Sequence, residues 1–437
     1  NSTTTGTWEQ VKTTEKKQEY SNQEEKTEEK KRNDEDVPAQ MSTSTPRVYD
    51  LFKYSNKDMI TSFAFCNSSR REVIVSSLKG LTQLTMKDDW SSSARVSLSL
   101  VSARARKPTS RDSEANSIEQ RLHLRNSASS KRISRSSPSI CVRAHPKRCS
   151  IFASSSPGKA LVTLWKAHDA GETSLQDLTW FDSSSNGGET PPPNTSRSSL
   201  RFSSDGYRVA LGSISDGGNV AMWQLGSDRT VPFYRLKCHK KRVDDIQFLL
   251  GGSVFMTAGL SSSRDKTNVA VWDALMSPKR ALVWSAKDVH SGGARSLAVS
   301  LRHQIAISGG DDGDVVIHCL RQRRWLHKLS QGHDQDSIRA VVFSPCENYF
   351  ATAANDGSLK IWKYPTSLNM TSEMNEDSDP TVLYTWPKLH ASRTDMFSAT
   401  GGGLMSQTGV TALNWTLNGI FSSGADGIMK VIPLNFS

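Results

Sequence analysis

Residues 350–362, Phe-Ala-Thr-Ala-Ala-Asn-Asp-Gly-Ser-Leu-Lys-Ile-Trp, constrain this chain more than any other stretch. The apolar run 350–354 breaks at Asn355-Asp356-Gly357. Leu359 and Ile361 then alternate with Ser358 and Lys360 before Trp362. An Asp-Gly pair between two such runs predicts a hairpin, because glycine readily enters the left-handed backbone region of a tight turn. One strand and loop upstream stands Gly332-His333-Asp334, followed by a run ending Phe343-Ser344-Pro345.

The same hairpin recurs. It is seen as Phe255 to Gly259 with Asn268 to Asp273, and as Ile305 to Gly310, Asp312-Gly313 and Val315 to His318. Further copies are Tyr207 to Leu211 with Asp216-Gly217 and Val220 to Trp223, and Ile420 to Gly427 with Ile428 to Val431. The closing residues Trp223, Trp272, His318 and Trp362 are 44–49 residues apart, near the roughly 40–45 of a WD repeat. Weaker units precede these at Met59 to Val75 and Val142 to Trp165. The reading is an all-β, seven-bladed WD-repeat β-propeller over residues 46–437. Its last unit stops one strand short at Val431 to Pro433. Arg47 to Phe52 is therefore expected to add the missing outer strand, since a bare edge is a template for aggregation.

Within such repeats His239, His290, His333 and His390 each precede an innermost strand, opposite a turn acid such as Asp356. The expectation is a structural relay, with histidine bonded to the turn acid and a hydroxyl and a Trp indole behind it, because buried polar groups must find partners. His239, Trp272, Asp273, His333, Asp356, Trp362 and Asp426 are read as blade residues on this ground. The run Gly309 to Asp314 lacks the alternating acids and distant Glu of a calcium loop and reads as a turn. The chain has no phosphate-binding Gly-Lys-Ser/Thr loop, H-E-x-x-H or G-x-S-x-G string. No enzyme activity, cofactor or metal is expected. Six cysteines without a C-x-x-C pair fit free thiols in a cytoplasmic protein.

The net charge of +11 is local. Residues 91–150 hold 13 Lys/Arg against 3 Asp/Glu. Residues 91–140 are Ser- and Arg-rich and read as a disordered basic insertion within the propeller. Ser134 follows Lys131-Arg132 closely and Ser137 precedes Pro138, so both are candidate phosphorylation sites, where added charge would switch an electrostatic contact. This loop also supports an alternative function, a nucleic-acid- or ribonucleoprotein-associated adaptor. The lack of aromatics among its basic residues counts against base stacking. Residues 1–45 read as a disordered charged tail, 183–199 as a Pro/Ser/Gly-rich insertion, 369–378 as an acidic linker and 391–408 as a further insertion. The chain opens on Asn1 and reads as part of a longer protein.

Several strings resemble the C-terminal WD-repeat region of the DmX-like proteins, or rabconnectins. They are Thr257-Ala258-Gly259, Trp272-Asp273-Ala274-Leu275-Met276-Ser277-Pro278, Arg321-Gln322-Arg323 with Leu326-His327, Tyr349-Phe350 with Lys360-Ile361-Trp362, and Phe421 to Gly427. The resemblance runs from about Leu236 to Ser437 and omits both insertions. It implies a non-enzymatic scaffold that promotes assembly of the V1 sector of the vacuolar proton pump (V-ATPase) onto its V0 membrane sector. The implied partners are the rabconnectin beta subunit and V1 subunits, with peripheral association on endosomal or synaptic vesicles. Arg321, Arg323, Arg324 and Trp325 fall on a connection after the fifth hairpin. Arg and Trp are enriched in binding hot spots, and loops on rigid scaffolds carry binding residues, which makes these four the candidate interaction residues. Packing between blades is the other reading of Trp325.

Overall fold

A computed structural model of the chain describes residues 45–53, 59–65, 72–77, 80–85, 141–148, 150–156, 161–168, 171–179, 198–213, 218–227, 229–249, 251–261, 264–330, 332–364, 380–391 and 409–434. Segments 1–44, 91–140 with Ser134 and Ser137, 369–378 and 392–408 lie outside the described residues. So does 183–199, apart from Ser198 and Ser199.

The first strand is β1 (Tyr49–Lys53). A three-stranded sheet follows: β2 (Ile60–Phe65), β3 (Glu72–Ser77) and β4 (Gly80–Thr85). The second sheet is β5 (Cys141–Ala144), β6 (Ile151–Ser156), β7 (Leu161–His168) and β8 (Gly171–Thr179). The third is β9 (Ser198–Phe202), β10 (Arg208–Ser213), β11 (Asn219–Gln224) and β12 (Tyr234–Lys237). The fourth is β13 (Arg242–Phe248), β14 (Val254–Leu260), β15 (Thr267–Asp273) and β16 (Leu282–Lys287). The fifth is β17 (Ala294–Ser300), β18 (Ile305–Gly310), β19 (Val315–Cys319) and β20 (Arg324–Leu329). The sixth is β21 (Ile338–Phe343), β22 (Tyr349–Ala354), β23 (Leu359–Lys363) and β24 (Thr381–Trp386). The last joins β25 (Val410–Thr416), β26 (Gly419–Gly424) and β27 (Ile428–Ile432) to β1.

Every pairing within these sheets is antiparallel, for example Phe350 with Trp362 and Ile307 with Ile317. The first strands of successive sheets pack on one another from β2 round to β25, and β25 returns to β2, which closes a ring. Six complete four-stranded blades thus stand where seven were expected. The first unit has three strands among the described residues, and residues 86–90, which follow β4, lie outside them. The segment 183–199 falls between β8 and β9, and its last two residues are strand rather than insertion.

The predicted latch is present. β1 pairs with β27 through Tyr49–Val431 and Asp50–Lys430. Leu51 is buried with Phe421, Met429 and Val431 of the last blade and with Ile60 and Val75 of the first sheet. The start of the chain is thereby tied into both neighbours of the ring's closure.

The core lies between blades. One cluster joins Met222 and Leu236 of the third sheet to Phe255 and Trp272 of the fourth. Another joins Ile307 and Ile317 of the fifth to Phe350 and Trp362 of the sixth. Trp165, Trp223, Phe152, Phe255 and Phe350 are fully buried. Burying a side chain of Phe size contributes about 1.5–3 kcal/mol, so this layered packing gives the ring much of its stability.

The inner strands share a feature that the sequence pattern does not display. Registers slip at Ile60/Ser62, Val243/Asp245, Ala294/Ser296, Ile338/Ala340 and Val410/Ala412. Each slip is a bulge that sets one extra residue of the first strand outside the register with the second strand and re-aims it. The bulged residues are Thr61, Asp244, Arg295, Arg339 and Thr411, all lining the central channel. Channel side chains then bond one blade to the next. Arg201 Nε donates to the Ile246 carbonyl (3.0 Å), Asp245 accepts from Leu297 N–H (3.0 Å), and the Ser296 hydroxyl accepts from Val341 N–H (3.0 Å).

Candidate interaction face

In an antiparallel four-stranded blade, the connections between first and second strands and between third and fourth strands emerge at the same end. Backbone hydrogen bonds join the two connections in successive sheets: Leu225 N–H to Tyr207 O, Ala274 N–H to Ser253 O, Leu320 N–H to Gln304 O and Tyr364 N–H to Asn348 O. These connections form one face of the ring. They also carry many of the exposed large apolar residues among the described residues, Tyr207, Phe233, Leu275, Met276, Leu301 and Leu417, with Trp325 at the start of β20 beside them.

Arg321, Arg323, Arg324 and Trp325 lie together on this face, at the turn from β19 into β20, and all are exposed. Trp325 pairs with His318 across the strands, yet 49% of its surface meets solvent. It is not packed between blades. Arg323 holds a left-handed backbone (φ 56°), uncommon for a side-chain-bearing residue, and Arg324 Nε donates to Gln322 Oε1 at 2.7 Å. Lys279, Arg280 and Arg302 are exposed on neighbouring connections of the same end. The acids there are engaged: Asp273 caps the Leu275 N–H (2.9 Å) and Glu347 accepts from the Ser300 hydroxyl. The fourth and fifth blades therefore present an apolar and basic rim, suited to an acidic partner surface.

The blade residues other than Asp273 occupy the opposite end and the interior. In the sixth sheet the Trp362 indole donates to Thr352 Oγ1 (2.8 Å), which bonds His333 Nε2 (2.7 Å). His333 Nδ1 meets the Ser358 hydroxyl (2.7 Å), which donates to Asp356 (2.7 Å). An indole only donates and a carboxylate only accepts, so the chain runs one way with a neutral imidazole. Burial, then the charge of Lys360, lowers the His333 pKa to about 3, in keeping with that state.

The expected direct contact between histidine and turn acid is met in two blades and corrected in two. His290 meets Asp312 at 3.2 Å and His390 meets Asp426 at 3.1 Å. In the sixth sheet Ser358 stands between His333 and Asp356. In the fourth, His239 Nδ1 donates to the Thr267 carbonyl (3.3 Å), while its Nε2 and the Trp272 indole both meet Thr257 Oγ1 (2.9 Å each). For the sixth sheet the difference has a steric side; the fourth sheet also carries glycine there, Gly259 opposite Val243, but its turn acid Asp265 accepts from the Thr267 hydroxyl (2.9 Å) instead. A Cβ at Gly310 or Gly424 would come within 2.2 Å of His290 or His390 Nδ1, so glycine leaves room for the direct approach. The equivalent residue of the sixth sheet is Ala354, placed by its pairing with Ile338. Asp273, read as a blade residue, caps the turn after β15. Ser358, Thr257, Ser308 and Thr352 were not singled out from the sequence. Their signal is a hydroxyl two residues after the turn acid, or two residues before the small residue (Gly259, Gly310 or Ala354) near the end of the second strand.

The fold and these repeats define a WD-repeat β-propeller. The family description "WD domain, G-beta repeat" matches residues 324–363, from β20 to β23, so the sequence repeat is offset by one strand from the sheet. The chain is similar in sequence to DmX-like WD-repeat proteins. It is 34% identical over 248 residues to DmX-like protein 1 of Mus musculus and 33% identical over 250 residues to that of Homo sapiens. Each match covers 54% of this chain but only 7% of the relative. Small ribosomal subunit protein RACK1 of Medicago sativa is 30% identical over 147 residues, covering 32% of this chain and 39% of that protein. A chain of a solved mitotic checkpoint complex superposes with a TM-score of 0.57 at 13% identity, over 92% of this chain and 98% of that one, and speaks to fold alone.

Proposed function

We propose that this chain is a protein-interaction scaffold that promotes assembly of V1 onto V0 of the V-ATPase, and so the acidification of organelles or vesicles. In this reading it works without catalysis, in the cytoplasm, and reaches endosomal or synaptic vesicle membranes only through its partners. Those partners are a rabconnectin beta subunit and V1 subunits. The reading rests on the relation to DmX-like proteins. The observation that carries it is the exposed rim formed by Arg321, Arg323, Arg324 and Trp325, which lies within the stretch that resembles the family. A rigid ring presenting an exposed aromatic beside several guanidiniums is chemistry for recognition rather than turnover.

Affinity purification of the chain from native cytosol, with and without residues 91–140, tests this reading. V1 subunits and the beta partner are expected in both preparations at moderate salt and after nuclease treatment. Recovery of RNA-binding proteins instead, lost on nuclease treatment or deletion of the loop, would overturn it.

A further inference from the structure

We propose that the central channel is a binding site for a small phosphate-rich anion, held by Arg143 and Arg201. The channel encloses about 550 Å³ and is lined by four arginines, Arg143, Arg201, Arg295 and Arg339, against two carboxylates, Asp244 and Asp245. Its positive balance is not spread evenly. Arg295 is neutralised by Asp244 at 3.1 Å and Asp311 at 2.6 Å. Arg201 is held by Asp245 at 3.3 Å.

Arg143 differs from both. Among the described residues its hydrogen bonds run from Nη1, to the Ser62 hydroxyl (2.8 Å) and the Val142 carbonyl (2.9 Å). Among the described residues it makes no ion pair, and its Nε is buried without a partner. Burial, the largest cause, and the nearby charge of Arg201 lower its pKa, against raising contributions from Cys141 and Asp245. Asp245 cannot serve it further. That carboxylate already accepts from Arg201 and from the Ile246 and Leu297 N–H groups.

Register brings the two guanidiniums together. Arg143 follows Val142, the partner of Ser154, and Arg201 follows Leu200, the partner of Leu211. The same position on β13, β17, β21 and β25 holds Gln247, Ala298, Val342 and Asn414. Two cations thus occupy the first strands of neighbouring blades on one side of the channel, with a single carboxylate, Asp245, beside them that is committed to Arg201. A half-buried guanidinium whose Nε is buried without an acceptor is costly, and an oxyanion supplies both the charge and the acceptors it lacks. The planar fork of arginine matches phosphate oxygens, and two forks side by side favour a ligand with more than one phosphate group. The enclosed volume suits a free small molecule. This site is separate from the rim proposed to bind protein partners.

Calorimetric titration of the full chain with pyrophosphate, and with inorganic phosphate at matched ionic strength, tests the site. One site is expected, with pyrophosphate the tighter ligand. Arg143→Met should weaken it by about tenfold or more, and Arg201→Met should weaken it as well. Arg321→Glu, on the outer face, should leave it unchanged. Arg143→Lys keeps the charge but not the fork and should also lose affinity, which keeps the test readable if Arg143→Met does not fold. A wild-type chain that takes up no pyrophosphate, or folded Arg143→Lys protein with unchanged affinity, overturns the proposal.

Discussion

The Ser308 hydroxyl lies 2.8 Å from His318 Nε2, in the place where Thr352 meets the Trp362 indole at the same distance. His318 thus stands in for the tryptophan that closes other blades. The Ser308 hydroxyl also lies 2.8 Å from His290 Nε2, and His290 Nδ1 faces Asp312. The donation order matches that of the sixth sheet if His318 carries its proton on Nε2. His318 Nδ1 is then left buried without a partner. Burial, then the charge of His290, lowers the His318 pKa to about 3. Ser308→Ala should strand both imidazoles and lower stability by about 1–3 kcal/mol, read as a reduced urea midpoint with unchanged slope. No change in midpoint would mean that the relay contributes nothing in this blade.

Stability should fall on mild acidification. Burial, the main cause, lowers His239 to about 4 and His333 and His318 to about 3. In the unfolded chain these groups titrate near the ordinary histidine value of about 6.5. Between those limits the unfolded state binds protons that the folded state refuses, so stability is complete above about pH 6.5 and is lost as pH falls toward 3–4. The loss approaches about 1.4 kcal/mol per pH unit for each histidine. Asp426 and Asp311 add a second loss at lower pH. Burial raises both, but bonds from His390 and from Arg295 outweigh it and hold the carboxyls below their usual range. Urea midpoints measured from pH 8 to pH 4.5 should be flat at first and then decline below pH 6.5. A flat profile throughout would contradict the neutral, buried relays.

The latch can be tested by one side chain. Leu51 is 6% exposed, whereas Asp50 beside it faces solvent and meets Lys430 at only 3.8 Å. Leu51→Ala should cost about 2–5 kcal/mol, and Asp50→Ala should change stability by less than about 0.5 kcal/mol. Equal, small effects from both would mean that β1 does not close the ring.

Much of this architecture is legible because its signals are local. The Asp356-Gly357 turn, the alternation from Leu359 to Ile361 and the closing Trp362 lie within one short hairpin, and spacing then repeats them around the ring. The latch was legible for a related reason: the last unit visibly lacked a strand, and Arg47 to Phe52 could supply it. β4 is not legible in the sequence, because nothing between Ser77 and Gly80 resembles the Asp-Gly turns of the later blades. The bulges at Asp244 and Arg295 escape the pattern because they depend on pairing with the second strand. The interposed Ser358 depends on whether glycine or alanine precedes the turn. The unpaired state of Arg143 depends on Ser62, 81 residues away. Trp325 was open to two readings, and only its place on the outer strand decides between them.

The most direct test of the proposed scaffold is hydrogen exchange of the full chain with and without purified V1 sector and the rabconnectin beta subunit. Protection is predicted at residues 320–329 and 275–282, with Trp325→Ala and Arg321→Glu removing it while leaving the urea midpoint in place. Protection confined to the opposite connections, such as 288–293 and 355–358, or none at all, would contradict the assignment of this face.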